Sequence, residues 1–151
     1  MEVAVGIGLV LVAFLGMEGV AWFTHKYIMH GLLWSWHRDH HNKPKGFFEK
    51  NDLFSICFSG LAMALIFSGL LIDGFWPLFY LGLGVTGYGI AYFVFHDVIV
   101  HKRYRHNWKF NSAYMRKIIR VHKVHHKNLK KDGAEAFGFL YAGKRFNHLV
   151  K

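Results

Sequence analysis

VAVGIGLVLVAFLGMEGVAWFTHKYIMHGLLWSWHRDHH, residues 3–41, runs from an almost uncharged apolar stretch straight into five histidines. Glu18 is the sole charge between residues 3 and 23. At 1.5 Å rise per residue, about 20 apolar residues span a hydrocarbon core of ~30 Å. The stretch therefore reads as a membrane helix, with His25, His30, His37, His40 and His41 hanging from its end.

The rest of the chain repeats this plan. Residues 53–72 and 74–95 carry no charge, and the second of these runs ends at His96. Hydrophobic residues are 53% of the chain, and three such runs would leave a soluble domain too little polar surface. Gly82, Gly84, Gly87 and Gly89 leave two readings of the third run: close helix packing, or a break into two short helices. The expected fold is all-α, an integral membrane bundle of three to four transmembrane helices. Residues 1–151 form a single domain, and a histidine-rich helical cap sits on the cytoplasmic side.

Charge placement supplies that orientation. The 19 Lys and Arg residues all fall between Lys26 and Lys50 or from Lys102 onward. By the positive-inside rule both basic segments face the cytoplasm. Three crossings then put the N-terminus outside and an outer turn near Asp73, Gly74 and Pro77, with every histidine box at the inner face. The N-terminal run lacks a basic n-region, so it reads as an uncleaved anchor. Glu18 stands two helical turns before His25, either as a functional intramembrane carboxylate or as a residue nearing the interface.

The net charge of +10 raises nucleic acid as a partner, but no nucleic-acid motif accompanies it. Anionic lipid headgroups supply the counter-charge instead. Arg116, Lys117, Arg120, Lys123, Lys127, Lys130 and Lys131 form a basic patch that is either a solvated face or a dock for an acidic electron-transfer protein.

Ten of the twelve histidines obey one pattern written twice. His25-x4-His30 precedes His37-x2-His40-His41, and His96-x4-His101 precedes His122-x2-His125-His126. Residues five apart on a regular helix point about 140° from each other, so each H-x4-H pair is expected to flank a site. The i, i+3, i+4 triplets are expected to share one helical face. Each half of the chain thus offers five imidazoles, and the two sets can surround two metal ions. His106 and His148 lie outside the pattern.

Cys57 is alone, which removes thiolate zinc sites, Fe–S clusters and disulfides, and no HExxH motif is present. Imidazole suits iron, copper, zinc and nickel alike. Ten imidazoles exceed the needs of one four-coordinate zinc, so two iron or two copper ions lead. Asp39 and Asp97 stand beside the boxes as candidate acceptors of imidazole N–H groups, and Asp52 is a weaker one. Trp22, Tyr27, Trp34 and Trp36 crowd the first boxes, either as an interfacial belt or as the wall of a tunnel for a long apolar substrate.

These residues closely resemble bacterial β-carotene hydroxylases of the membrane fatty-acid and sterol hydroxylase superfamily. The resemblance runs through HKYIMHG at His25–Gly31, WHRDHH at Trp36–His41, FEKNDLF at Phe48–Phe54, HDVIVHKR at His96–Arg103, HKVHH at His122–His126 and FGFLY at Phe137–Tyr141. It implies a bacterial inner-membrane, non-haem di-iron monooxygenase. The implied reaction uses O2 to hydroxylate C3 of each β-ionone ring, taking β-carotene through β-cryptoxanthin to zeaxanthin. The family's iron ligands fall on His25, His30, His37, His40, His41, His96, His101, His122, His125 and His126. No nucleotide or flavin motif is present, so a ferredoxin with its NAD(P)H reductase is the implied electron donor. The linker from Tyr104 to Arg120 follows the family pattern loosely. Competing readings are a fatty-acid or sterol hydroxylase or desaturase of the same superfamily and, from other classes, a membrane metal transporter or a haem subunit.

Overall fold

The computed structural model describes residues 2–42 and 46–150 and contains no strand among them. Helix α1 (Glu2–Phe23) leads into a π-helical segment, Thr24–Leu32, which is kinked at Gly31, where φ −116° and ψ −106° leave helical geometry. A short helix, α2 (Trp34–His37), follows. Helix α3 (Asp52–Leu71) leads away from the histidines, and α4 (Trp76–Tyr92) returns to them through a second π-helical segment, Phe93–Val100. Helix α5 (Ala113–His125) and a terminal 3-10 turn (Lys144–Val150) complete the cap.

Three helical runs are long and apolar enough to cross a membrane: Glu2–Leu32, Asp52–Leu71 and Trp76–Val100. Their apolar side chains point outward, with Leu15 70% and Leu71 79% exposed. Such faces are stable only against lipid. Helix α4 packs against both α1 and α3 and so lies between them.

The glycines of α4 make that central position possible. A Cβ on Gly84 would stand 2.5 Å from the Val10 carbonyl oxygen, and one on Gly82 would stand 2.9 Å from the Ile66 backbone nitrogen. Small residues here let backbones approach closely, as in other membrane helix pairs. The alternative of two short helices is thus set aside: α4 is continuous from Trp76 to Tyr92. The turn between α3 and α4 is made by Gly74 at φ 80°, while Pro77 already lies in the first turn of α4.

The cap is tied to the membrane helices by Glu18. Its carboxylate accepts the backbone N–H groups of Phe139 (2.8 Å), Leu140 (2.9 Å) and Tyr141 (3.1 Å), and the Tyr88 hydroxyl at 2.8 Å. Three otherwise unmatched donors of the FGFLY segment are satisfied by one side chain. Phe139 then joins Met17, Ala62, Val85 and Tyr88 in the buried core.

Candidate metal centres

The π-segments place the first histidine of each pair. A π-helix hydrogen bond runs from residue i+5 to residue i, as in His101 N–H to the His96 carbonyl at 2.9 Å. Residues five apart therefore stack on one face. The ring centroids of His25 and His30 are 5.4 Å apart, and those of His96 and His101 4.5 Å. This corrects the expectation from a regular helix, which would have splayed each pair around a site.

The triplets depart from expectation in the opposite sense. Helix α2 ends at His37, and residues 38–41 form a turn. His37 and His41 face one way and His40 the other. On α5, His122 and His126 separate likewise from His125. The result is two groups of five that trade one member between the halves of the chain. His25, His30, His37, His41 and His125 form the first, and His40, His96, His101, His122 and His126 the second. In each group the nitrogens offered lie within 4.8 Å of one another. The halves are not separate sites, since His40 and His125 have crossed over. The groups abut, with His41 stacked on His126 at 4.5 Å between centroids.

The far nitrogens reveal what the near ones must be. In the first group, Nδ1 of His25, His30, His41 and His125 donates to the carbonyls of Phe137 (3.2 Å), Lys131 (3.0 Å), Asn128 (2.8 Å) and Glu135 (2.8 Å). His37 Nδ1 donates to Asn51 Oδ1 at 2.7 Å. In the second, His40 Nδ1 donates to Glu49 at 2.8 Å and His96 Nδ1 to Asp97 at 3.2 Å. A carbonyl or carboxylate oxygen can only accept, so Nδ1 carries the proton and Nε2 presents a bare lone pair.

Those lone pairs point at each other. Nε2 of His37 stands 3.1 Å from that of both His25 and His41, and Nε2 of His30 stands 3.2 Å from that of both His41 and His125. In the second group the lone pairs of His40 and His96 stand 3.0 Å apart, Nε2 of His101 and His122 lie 3.0 Å apart without an acceptor on either Nδ1 among the described residues, and His126 Nε2 is buried with no hydrogen-bond partner. Converging lone pairs repel unless a cation sits among them. Protonation does not relieve them. Burial, reinforced by neighbouring rings, holds His40 and His122 well below the ordinary imidazole range. Burial likewise brings His41 to about 4 and His101 and His125 to about 3. An all-nitrogen set of neutral donors fits a transition-metal ion in each group.

Asp97 stands 3.2 Å from the His96 imidazole, and it also pairs with Arg103 at 2.7 Å. Asp39 bonds to no imidazole among the described residues: its Oδ2 accepts the Lys50 N–H at 2.7 Å, and its Oδ1 is buried without a partner. Asp52 is taken by Arg103 at 2.8 Å. Sequence reasoning missed Glu49 and Asn51, whose mark was their place in the FEKNDLF segment at the mouth of α3. It missed the four backbone carbonyls entirely, since they carry no side-chain signal. His106 and His148 bond to the Val98 and Arg145 carbonyls, apart from both groups.

An apolar cavity of about 480 Å³ lies between the membrane helices, walled by Met17, Phe58, Ala62, Val85 and Phe139. It ends against His25, His122 and Asp97, so it opens onto both groups. The aromatics crowded near the first boxes do not line it. Trp22 and Tyr27 are exposed and pack with Lys26, as at a membrane interface, while Trp34 packs on His30 and His41. A second recess, about 350 Å³, is lined by His40, His101, His126 and Lys123.

Comparison with known proteins agrees with this geometry. The fatty acid hydroxylase family pattern matches residues 10–143. The chain is 45% identical over 136 residues to a β-carotene hydroxylase of Pseudescherichia vulneris, covering 90% of this chain and 76% of that one. It is 43% identical over 134 residues to a β-carotene hydroxylase of Pantoea ananas, covering 89% and 75%. It is 40% identical over 116 residues to β-carotene 3-hydroxylase 2, chloroplastic, of Arabidopsis thaliana, covering 76% and 38%. No solved structure gives a significant match. The chain belongs to the fatty acid hydroxylase family, and the relatives it matches along most of its length are β-carotene hydroxylases.

Proposed function

We propose that this protein is a di-iron, O2-dependent monooxygenase that hydroxylates C3 of the β-ionone rings of β-carotene, giving β-cryptoxanthin and then zeaxanthin. The observation that carries the reading is the apolar cavity between the membrane helices, which ends on two groups of five converging imidazoles. His25, His30, His37, His41 and His125 would hold one iron, and His40, His96, His101, His122 and His126 the other. When bound, iron supplies the O2 activation needed to attack an unactivated ring C–H bond, which no side-chain acid, base or nucleophile can do.

The chain's own residues bind, orient and exclude water. Met17, Phe58, Ala62, Val85 and Phe139 offer a ring a dry seat reached from lipid, where a carotenoid resides. Tyr88 and Glu18 stay bonded to each other and to the FGFLY backbone, which keeps the Phe137 carbonyl against His25. In the overall reaction the C–H bond becomes C–OH, and the second oxygen atom of O2 leaves as water with two protons and two electrons from outside. An iron–sulfur donor of the ferredoxin type, fed by an NAD(P)H reductase, fits that demand. Lys117 and Arg120 are engaged with the Ala142 and Leu149 carbonyls, so the exposed Lys123, Lys127, Lys130 and Lys131 are the face left for such a donor. The boxes and these lysines face the cytoplasm of the inner membrane under the positive-inside rule.

Expression in β-carotene-producing bacteria with a competent donor, followed by pigment chromatography, tests the reading. Zeaxanthin supports it. Unchanged β-carotene together with new hydroxylated or desaturated fatty acids or sterols would replace it with the sister activity.

A further inference from the structure

The two imidazole groups differ in what stands behind them. Every ring of the first group donates its Nδ1 proton to a neutral oxygen, four of them backbone carbonyls and one the Asn51 amide. In the second group His40 and His96 donate instead to the carboxylates of Glu49 and Asp97. Behind these, the Glu49 N–H donates to Asp52, and Arg103 bridges Asp52 and Asp97. Arg103 thus pairs with two of these carboxylates while Glu49 has none of its own, and three carboxylates with one guanidinium give the second group a net negative surround. Asp132 lies near His30 in charge terms, but its carboxylate bonds to no imidazole among the described residues.

Exposure differs in the same direction. All five rings of the first group are buried, whereas His101 and His126 of the second are partly exposed along the recess that Lys123 borders. Water, like a carboxylate, favours the more highly charged ion. Lys123 opposes this, but it is exposed, and a charge in water acts about fourfold more weakly than one in a partly buried setting.

We propose that the two centres have unequal reduction potentials. Glu49 and Asp97, through His40 and His96, make the second centre the harder to reduce, so that the first centre takes up the first electron. The inference rests on reading both groups as iron sites. Each reduction is a one-electron step in which ferric iron becomes ferrous at the expense of an external reductant. A carboxylate on the outer nitrogen raises the donor strength of an imidazole and stabilises the higher charge on its metal, whereas a neutral carbonyl does less of both.

The test uses the full chain in lipid nanodiscs, loaded with 57Fe and reduced stepwise by dithionite with mediators, read by Mössbauer spectroscopy. Two ferric populations of equal size that are reduced at separate potentials are expected. Glu49→Gln should raise the later potential by about tenfold in the reduction equilibrium, ~59 mV for one electron. Asn51→Asp, which puts a carboxylate on His37, should lower the earlier potential by a similar factor and narrow the gap. Two irons reduced together in the unaltered protein, or potentials indifferent to both substitutions, would overturn the inference while leaving the metal reading intact. Failure to load two irons per chain would overturn both.

Discussion

Glu18 shows how much one residue carries. The three backbone N–H groups converge on Glu18 Oε1 and the Tyr88 hydroxyl donates to Oε2, so deleting the carboxylate leaves all four donors unmatched. Each buried donor left without a partner costs about 1–3 kcal/mol. Glu18→Ala should therefore loosen the FGFLY segment, lower the thermal midpoint and reduce hydroxylation about tenfold or more. Tyr88→Phe removes one bond, worth roughly 1 kcal/mol, and should be the milder change. Thermal unfolding in detergent together with product assays checks both; equal effects from the two substitutions would contradict this ranking.

Among elements, α4 is the one most tightly constrained. Gly84 faces the backbone of α1, which cannot rotate away as a side chain can, whereas nothing lies within 4 Å of a Cβ at Gly89. Gly84→Ala should destabilise by about 1–3 kcal/mol, the usual cost of overpacking. Gly89→Ala should be neutral or slightly stabilising, since alanine favours a helix over glycine by about 0.5–1 kcal/mol. Melting of the two variants side by side distinguishes them. The π-segments belong to the same scale. A five-residue histidine spacing calls for a turn that closes from i+5 to i, and both H-x4-H pairs sit on such turns.

At the scale of the whole molecule, the exchange of His40 and His125 joins the two halves into one unit. His125→Ala should deplete the centre formed with His25, His30, His37 and His41, although His125 comes from α5. His40→Ala should deplete the other. Each variant is expected to fall from about two irons per chain toward one, by metal analysis, with a different component missing from the iron spectrum. Removal of metal by a chelator should lower the thermal midpoint, because a ligand that binds only the folded chain stabilises it by mass action. An unchanged midpoint after complete removal would argue that the lone pairs are satisfied in some other way.

From the chain alone one could read the membrane spans, the doubled histidine pattern and the gathering of the boxes at one end. Each depends on local quantities: apolar length against bilayer thickness, residue spacing, and the placement of Lys and Arg. Partnership was another matter. That His40 sides with His96, that His125 sides with His30, and that carbonyls from residues 128–137 fix the tautomers are long-range facts, invisible to any periodicity. The π-turns escaped because the usual helical period was assumed, and Glu49 and Asn51 because the ends of α3 and the cap meet only after folding. Composition and spacing singled out the ten histidines as candidates; the three-dimensional packing alone decided which of them gather together and which ring nitrogen each presents, because imidazoles from distant segments converge only where buried backbone and acidic acceptors hold their opposite nitrogens.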